Sequence, residues 1–181
     1  MSTTEIRLSG SGGQGIITAG IILAEAALLD NENALQSQSY GPEARGGASK
    51  AEVIISSEEI DYPKVLVPNI FVALTQQAFD TYGQGVAEDG VILIDDTINA
   101  HGVSTQKLYA LPVLHIALSE LRPVVANIVT LGALVKLTGC VTLESLEQAV
   151  LARVPRGTEE LNKRALAAGV AAAAQLIGDN K

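Results

Sequence analysis

The strongest constraint on the fold of this sequence comes from its first thirty residues, where a strand, a glycine turn and a long apolar helix follow one another. Thr4 to Ser9 (TEIRLS) reads as a short strand. It runs into Gly10-Ser11-Gly12-Gly13-Gln14-Gly15, and a helix is predicted from Ile16 to Leu29, ended by the polar cluster Asp30-Asn31-Glu32-Asn33. Within that helix only Thr18 and Glu25 are clearly polar, so it must be buried on more than one side, by its own sheet and by something else. Aromatic residues make up only 3% of the chain and Trp is absent, so the core has to be built from Ile, Leu, Val and Ala. Such a composition suits buried parallel strands covered by helices.

The remaining pattern extends that unit. Strands are predicted at Ala34 to Ser39 and Ser49 to Ser56, then an irregular stretch with a short turn of helix over Glu58 to Pro68. Ile70 to Leu74 reads as a buried strand feeding a helix over Gln76 to Tyr82, and Val91 to Asp95 (VILID) is the clearest buried strand. A further strand is expected over Tyr109 to Ile116, followed by helices Pro123 to Thr138, Leu143 to Val154 and Glu159 to Ile177. Thr142 and Thr158 stand at N-cap positions, with Glu144, Glu159 and Glu160 in the first turns. The expected architecture is α/β: a three-layer α/β/α sandwich, Rossmann-like, with a helical C-terminal third. No repeat or linker interrupts residues 1–181, so one domain is expected.

A net charge of -8 excludes nucleic acid and anionic membrane as main partners, since the field of the chain repels both. Glu5 and Arg7 interrupt any signal-peptide pattern, and no run reaches the ~18 to 20 apolar residues a bilayer span needs. A soluble, cytoplasmic protein is expected. Cys140 is the only cysteine, so the chain by itself can form neither an internal disulfide nor a four-cysteine cluster.

Gly10-x-Gly12-x-x-Gly15 follows a strand and opens a helix, the setting in which backbone N–H groups at a helix start receive a phosphate. The dinucleotide fingerprint is incomplete. The next strand ends at Ser39-Tyr40 without an acid to hold a ribose, and Glu32, at roughly the right spacing, precedes the strand. No Lys-Ser/Thr pair follows Gly15, which excludes a Walker A loop. A tight strand-to-helix crossover, a phosphate-bearing ligand and a partner's backbone all remain open for this turn. Asp95 and Asp96 lie at the carboxyl end of a strand but alternate in direction, so capping of the next turn is the simpler role. His101 and His115 show no metal-ligand spacing. Asn127 and Thr130 form either a polar stripe facing a partner or a solvated edge.

The connection Ser39-Tyr40-Gly41-Pro42-Glu43-Ala44-Arg45-Gly46-Gly47-Ala48 demands more explanation. Ordering each residue costs about 1 to 2 kcal/mol, and glycine costs more than most. Tyr40 offers a flat face with a hydroxyl, and Arg45 a fork of donors for a carboxylate or phosphate. Glu43 is placed to hold Arg45 in the free state, while Gly46 and Gly47 admit close approach. The bland alternative is an exposed loop with an incidental ion pair worth about 0 to 1 kcal/mol.

GSGGQG, QSYGPEARGGASKAEVIIS (Gln38 to Ser56), ANIVTLGAL (Ala126 to Leu134) and TEELNKRAL (Thr158 to Leu166), in that order, resemble the gamma subunit of 2-oxoacid:ferredoxin oxidoreductases. Ala44 stands where pyruvate-type relatives carry a second arginine, so the resemblance is to the 2-oxoglutarate type. The resemblance implies oxidative decarboxylation of a 2-oxoacid with coenzyme A as co-substrate and ferredoxin as acceptor. It also implies thiamine diphosphate, Mg and iron–sulfur clusters on partner alpha and beta subunits, with a ferredoxin-like delta subunit as a further partner. This chain carries no Gly-Asp-Gly…Asn thiamine motif, so no catalytic or metal-binding residue is assigned to it and no cofactor is expected on it alone. The candidate residues for the coenzyme A cleft are Gly10, Gly12, Gly13, Gly15, Tyr40, Glu43, Arg45, Gly46 and Gly47. The alternatives are a self-contained nucleotide-binding module, a scaffold that only clamps catalytic subunits together, and the related indolepyruvate oxidoreductase beta subunit.

Overall fold

The computed structural model describes residues 3–40 and 47–178. Its elements in chain order are β1 (Thr3–Ser11), α1 (Ile16–Leu29), β2 (Asn33–Tyr40), β3 (Ala48–Ser56), β4 (Ile70–Ala73), α2 (Gln76–Tyr82), β5 (Val91–Asp95) and β6 (Lys107–Leu111). After these come α3 (Val113–Glu120), a 3-10 turn (Pro123–Val125), α4 (Ala126–Thr138), α5 (Leu143–Arg153) and α6 (Glu159–Gly178). The strands form one sheet in the order β2-β3-β1-β4-β5-β6. β1, β4, β5 and β6 run parallel, whereas β3 is antiparallel to both β1 and β2. This is the α/β architecture expected from the sequence, with its helical C-terminal third.

The two faces of the sheet are covered unequally. On one, alternate strand residues such as Ile6, Leu8, Val53 and Val72 join the buried faces of α1, α3, α4, α5 and α6 in a single core. α1 packs on β2 and β3 below and on α4 and α5 beside it, which explains a helix without a polar face. Ile22 and Leu23 are fully enclosed, and such side chains each contribute about 1.5 to 3 kcal/mol. On the other face α2 is the only described helix, and Phe71, Phe79, Ile92 and Ile94 close a smaller core with the loops.

Three expectations need correction. The strand predicted over Tyr109 to Ile116 stops at Leu111, and a helix starts at Val113. Pro112 has no N–H for the ladder, and Asp95 Oδ1 accepts the Leu114 N–H at 2.9 Å, fixing the helix start. The helix predicted to begin at Pro123 opens instead with the 3-10 turn, and α4 proper starts at Ala126. Glu58 to Pro68 contains no helical turn; Glu5 Oε2 accepts the Leu66 and Val67 N–H groups at 3.0 and 3.2 Å, tying the end of this irregular stretch to β1.

α4 and α6 touch backbone to backbone. A Cβ on Gly132 would run into the Leu166 carbonyl, and one on Gly169 into the Val129 carbonyl. The N-caps divide. Thr142 accepts the Ser145 N–H at 3.2 Å, whereas the Thr158 hydroxyl donates to Pro155 O at 2.6 Å and accepts from Asn162 Nδ2.

Candidate functional site

Because β3 opposes β1, the connection between β2 and β3 turns at the same edge of the sheet where the parallel strands end. That edge is where open α/β sheets place ligands. The glycine turn and the base of the connection meet there: the Gly12 N–H donates to the Gly47 carbonyl at 3.3 Å. β1 continues through Gly10 and Ser11, paired with Ser49 and Ala48, so the turn proper is Gly12 to Gly15.

The four glycines of the motif have different jobs. Beside Gly10, a Cβ would lie 2.5 Å from Gln14 Oε1 and 3.0 Å from Ile16. Gln14 is folded back there because its Oε1 accepts the Ser11 N–H at 2.8 Å. Gly15 has φ 72°, and its Cβ position is 2.5 Å from Asn127 Nδ2. Both therefore serve internal packing. Gly12 and Gly13 are exposed, and Gly13, at φ 87°, has nothing within 4 Å of its Cβ position. No side chain caps α1, so the positive end of its dipole opens on this same surface.

Of the other candidate residues, Gly47 is buried against the turn and Tyr40 ends β2 opposite Ser49. Glu43, Arg45 and Gly46 lie outside the described residues, as does the Tyr40 side chain.

On the thinner face of β1 and β3 lies a charge cluster that sequence reading missed. Arg7 Nε and Lys50 Nζ both meet Glu52 Oε1, at 2.8 and 3.0 Å. Arg7 also donates to the Tyr82 and Val65 carbonyls at 3.3 and 3.4 Å. Lys50 lies 5.6 Å over the Tyr82 ring, whose hydroxyl donates to Ala48 O at 3.2 Å. The cluster ties α2 and β1 to the first residue after the connection. Alternation within each strand carried half the signal, but the pairing of residues 7 and 52 depends on sheet register.

The remaining polar candidates are structural. Asp95 is fully buried, with one oxygen on Leu114 N–H and the other on Thr97 N–H and Oγ1 at 3.2 and 2.5 Å. His101 meets Asp80 at 2.8 Å and stands edge-on to Phe79. Burial pushes the Cys140 thiol up, away from a reactive thiolate. Asn127 and Thr130 form neither an exposed stripe nor a solvated edge. Both are buried, with Asn127 Nδ2 on Gly15 O at 3.2 Å and Thr130 Oγ1 on Ala126 O at 2.7 Å. No group of three or more His, Cys, Asp or Glu in metal-binding arrangement occurs among the described residues, and no described helix is long and apolar enough to cross a membrane.

A cleft of about 260 Å³ adjoins Gly13 and Gly15, between the start of α1, the start of α4 and the α5–α6 junction. Wider concavities of about 530 and 560 Å³ lie at the amino ends of the strands and along α1 and α5, away from the glycine turn.

The model of the pyruvate ferredoxin/flavodoxin oxidoreductase family matches residues 5–172. The chain is 54% identical to 2-oxoglutarate synthase subunit KorC of Methanocaldococcus jannaschii, over 95% of both chains. It is 46% identical to the same-named subunit of Methanothermobacter thermautotrophicus, over 91% of this chain and 92% of that one. Among solved structures, the keto/oxoacid ferredoxin oxidoreductase gamma subunit of Geobacter sulfurreducens is 45% identical, with a TM-score of 0.89 over 97% of this chain and 98% of that one.

Proposed function

This chain belongs to the pyruvate ferredoxin/flavodoxin oxidoreductase family, and we propose that it serves there as the gamma subunit of a multi-subunit 2-oxoglutarate:ferredoxin oxidoreductase. The observation that carries this reading is the 54% identity, over 95% of both chains, to a subunit of 2-oxoglutarate synthase. The reaction is the coenzyme A-dependent oxidative decarboxylation of 2-oxoglutarate, with ferredoxin as acceptor. Thiamine diphosphate with Mg and the iron–sulfur clusters, held by the alpha, beta and ferredoxin-like delta subunits, supply carbanion stabilisation and one-electron transfer.

This chain contributes shape and charge. Gly12 and Gly13 let another backbone or a co-substrate come close to the open start of α1. Gly10 and Gly15, filled by Gln14 and Asn127, hold the turn in place, and Gly47 fixes the connection against it. Tyr40, Glu43, Arg45 and Gly46 bound the coenzyme A cleft, with the Arg45 guanidinium meeting a carboxylate or phosphate. A self-contained nucleotide-binding module is the weaker reading, because the chain's own side chains fill the space at two of the four glycines of the motif, Gly10 and Gly15. The whole chain acts as one domain, in the cytoplasm.

The test is Arg45→Ala in the assembled complex. Removing a guanidinium from a desolvated pair should weaken association by about 2 to 5 kcal/mol and lower turnover. Unchanged assembly and turnover would remove Arg45 from the interface.

A further inference from the structure

The cleft beside the glycine turn has a built polar floor. Asn162, at the start of α6, is only 5% exposed. Its Nδ2 donates to Thr158 O at 2.9 Å, and since a carbonyl can only accept, the orientation of the carboxamide is fixed. Asn162 Oδ1 is left without a donor among the described residues. Asn127 is fixed in the same way: its Oδ1 accepts the Ile128 N–H at 2.9 Å, and its Nδ2 spends one hydrogen on Gly15 O. The second hydrogen is uncommitted. One free acceptor and one free donor therefore lie in a cleft whose walls are largely aliphatic, Ile22, Val125 and Leu161 among them.

Charge and size narrow the occupant. Among the described residues, Arg153 is the only charged one lining the cleft, and it is paired with Glu25. An uncharged occupant is therefore favoured. At about 260 Å³ the cleft falls below the ~300 to 1,000 Å³ usual for small-molecule sites. A main-chain amide offers both the N–H that Asn162 Oδ1 lacks and a carbonyl for Asn127 Nδ2, and a neighbouring aliphatic side chain fits the walls. Val124, at the rim and 72% exposed, extends the apolar surface outward.

We propose that this cleft receives an uncharged segment of a catalytic subunit, one aliphatic side chain with an adjacent main-chain amide, as an anchor of the assembly. The proposal rests on the gamma-subunit reading and adds to it the chemistry of the partner's contact.

The test uses the full chain and the purified thiamine-dependent subunits of the complex, with association measured by calorimetry. Thr18, exposed on α1 at the cleft, is replaced by Trp to plug it. Asn162→Leu removes the acceptor, and Gln77→Trp on α2, across the sheet, is the control. Thr18→Trp and Asn162→Leu should each weaken association about tenfold or more, as expected at a buried anchor. Gln77→Trp should leave it unchanged, and Thr18→Trp should melt with the wild type. Wild-type association by Thr18→Trp overturns the proposal while leaving the gamma-subunit reading intact. A wild-type chain that does not bind these subunits at all overturns both. A small molecule retained by wild type and lost from Thr18→Trp, with association intact, overturns the proposal in favour of a ligand site.

Discussion

Asn127 donates from Nδ2 to the carbonyl of Gly15, 112 residues earlier in the chain, across 3.2 Å. The same carboxamide occupies the space where a Cβ on residue 15 would stand, 2.5 Å away. The start of α4 thereby sets the shape of the turn that opens α1. The motif glycine at 15 is held by the protein itself, which leaves Gly12 and Gly13 as the exposed part of the turn.

This separates two substitutions that look alike in sequence. Gly13→Ala and Gly15→Ala both place a side chain at positive φ, at about 1 to 2 kcal/mol each. Only Gly15→Ala also collides with Asn127, adding about 1 to 3 kcal/mol for overpacking. Urea denaturation should find Gly15→Ala the less stable of the two by at least about 1 kcal/mol. Equal stabilities would mean that Asn127 moves freely aside.

Gly169 makes an opposite prediction to helix propensity. Alanine is favoured over glycine inside a helix by about 1 kcal/mol. Here, however, the new methyl group meets the Val129 carbonyl and Ala133 N, the latter at 2.9 Å. Backbone atoms cannot rotate away, so α4 and α6 must separate. Gly169→Ala should destabilise the protein by a net ~1 to 3 kcal/mol, read as a lower melting temperature; a stabilised variant would contradict the packing.

Asp30 joins the end of α1 to the start of α5 by accepting Thr142 N–H, Thr142 Oγ1 and Ser145 Oγ at 2.7, 2.7 and 2.6 Å. Burial works to raise its carboxyl, but the hydrogen bonds from Ser145 and Thr142 outweigh this and hold it below the ordinary value of 3.8. The unfolded chain therefore takes up this proton first as pH falls. The stabilisation is complete above 3.8 and is lost as pH drops through the lower folded value. Asp30→Asn should cost about 1 to 3 kcal/mol near neutral pH, and the gap from wild type should narrow in acid. A gap that is constant from neutral pH to about pH 3 would contradict the assignment.

The N-terminal unit was legible because strand, glycine turn and apolar helix each have their own local signature, and β5 because VILI is an unbroken apolar run, buried from Ile92 onward. The boundary between β6 and α3 was hidden in the unbroken run Leu111-Pro112-Val113-Leu114. Apolar Val113, Ile116 and Ala117 at helical spacing, all three buried in the fold, were the signal available there. Asn127 and the Arg7–Glu52–Lys50 cluster could not be placed from local pattern. Their partners are set by the approach of α4 to α1 and by the register of β1 on β3, both long-range features. Of the site, the pairing of the glycine turn with Gly47 follows from β3 running against β1, a direction the sequence left open.

The central claim, that this chain shapes an active centre whose chemistry belongs to its partners, is tested by 2-oxoglutarate- and coenzyme A-dependent ferredoxin reduction. The assay compares the purified chain, the catalytic subunits without it, and the reconstituted complex. The account predicts no turnover by the chain alone and full turnover only in the complex. Reduction by the chain alone, or undiminished turnover by the catalytic subunits in its absence, would contradict it.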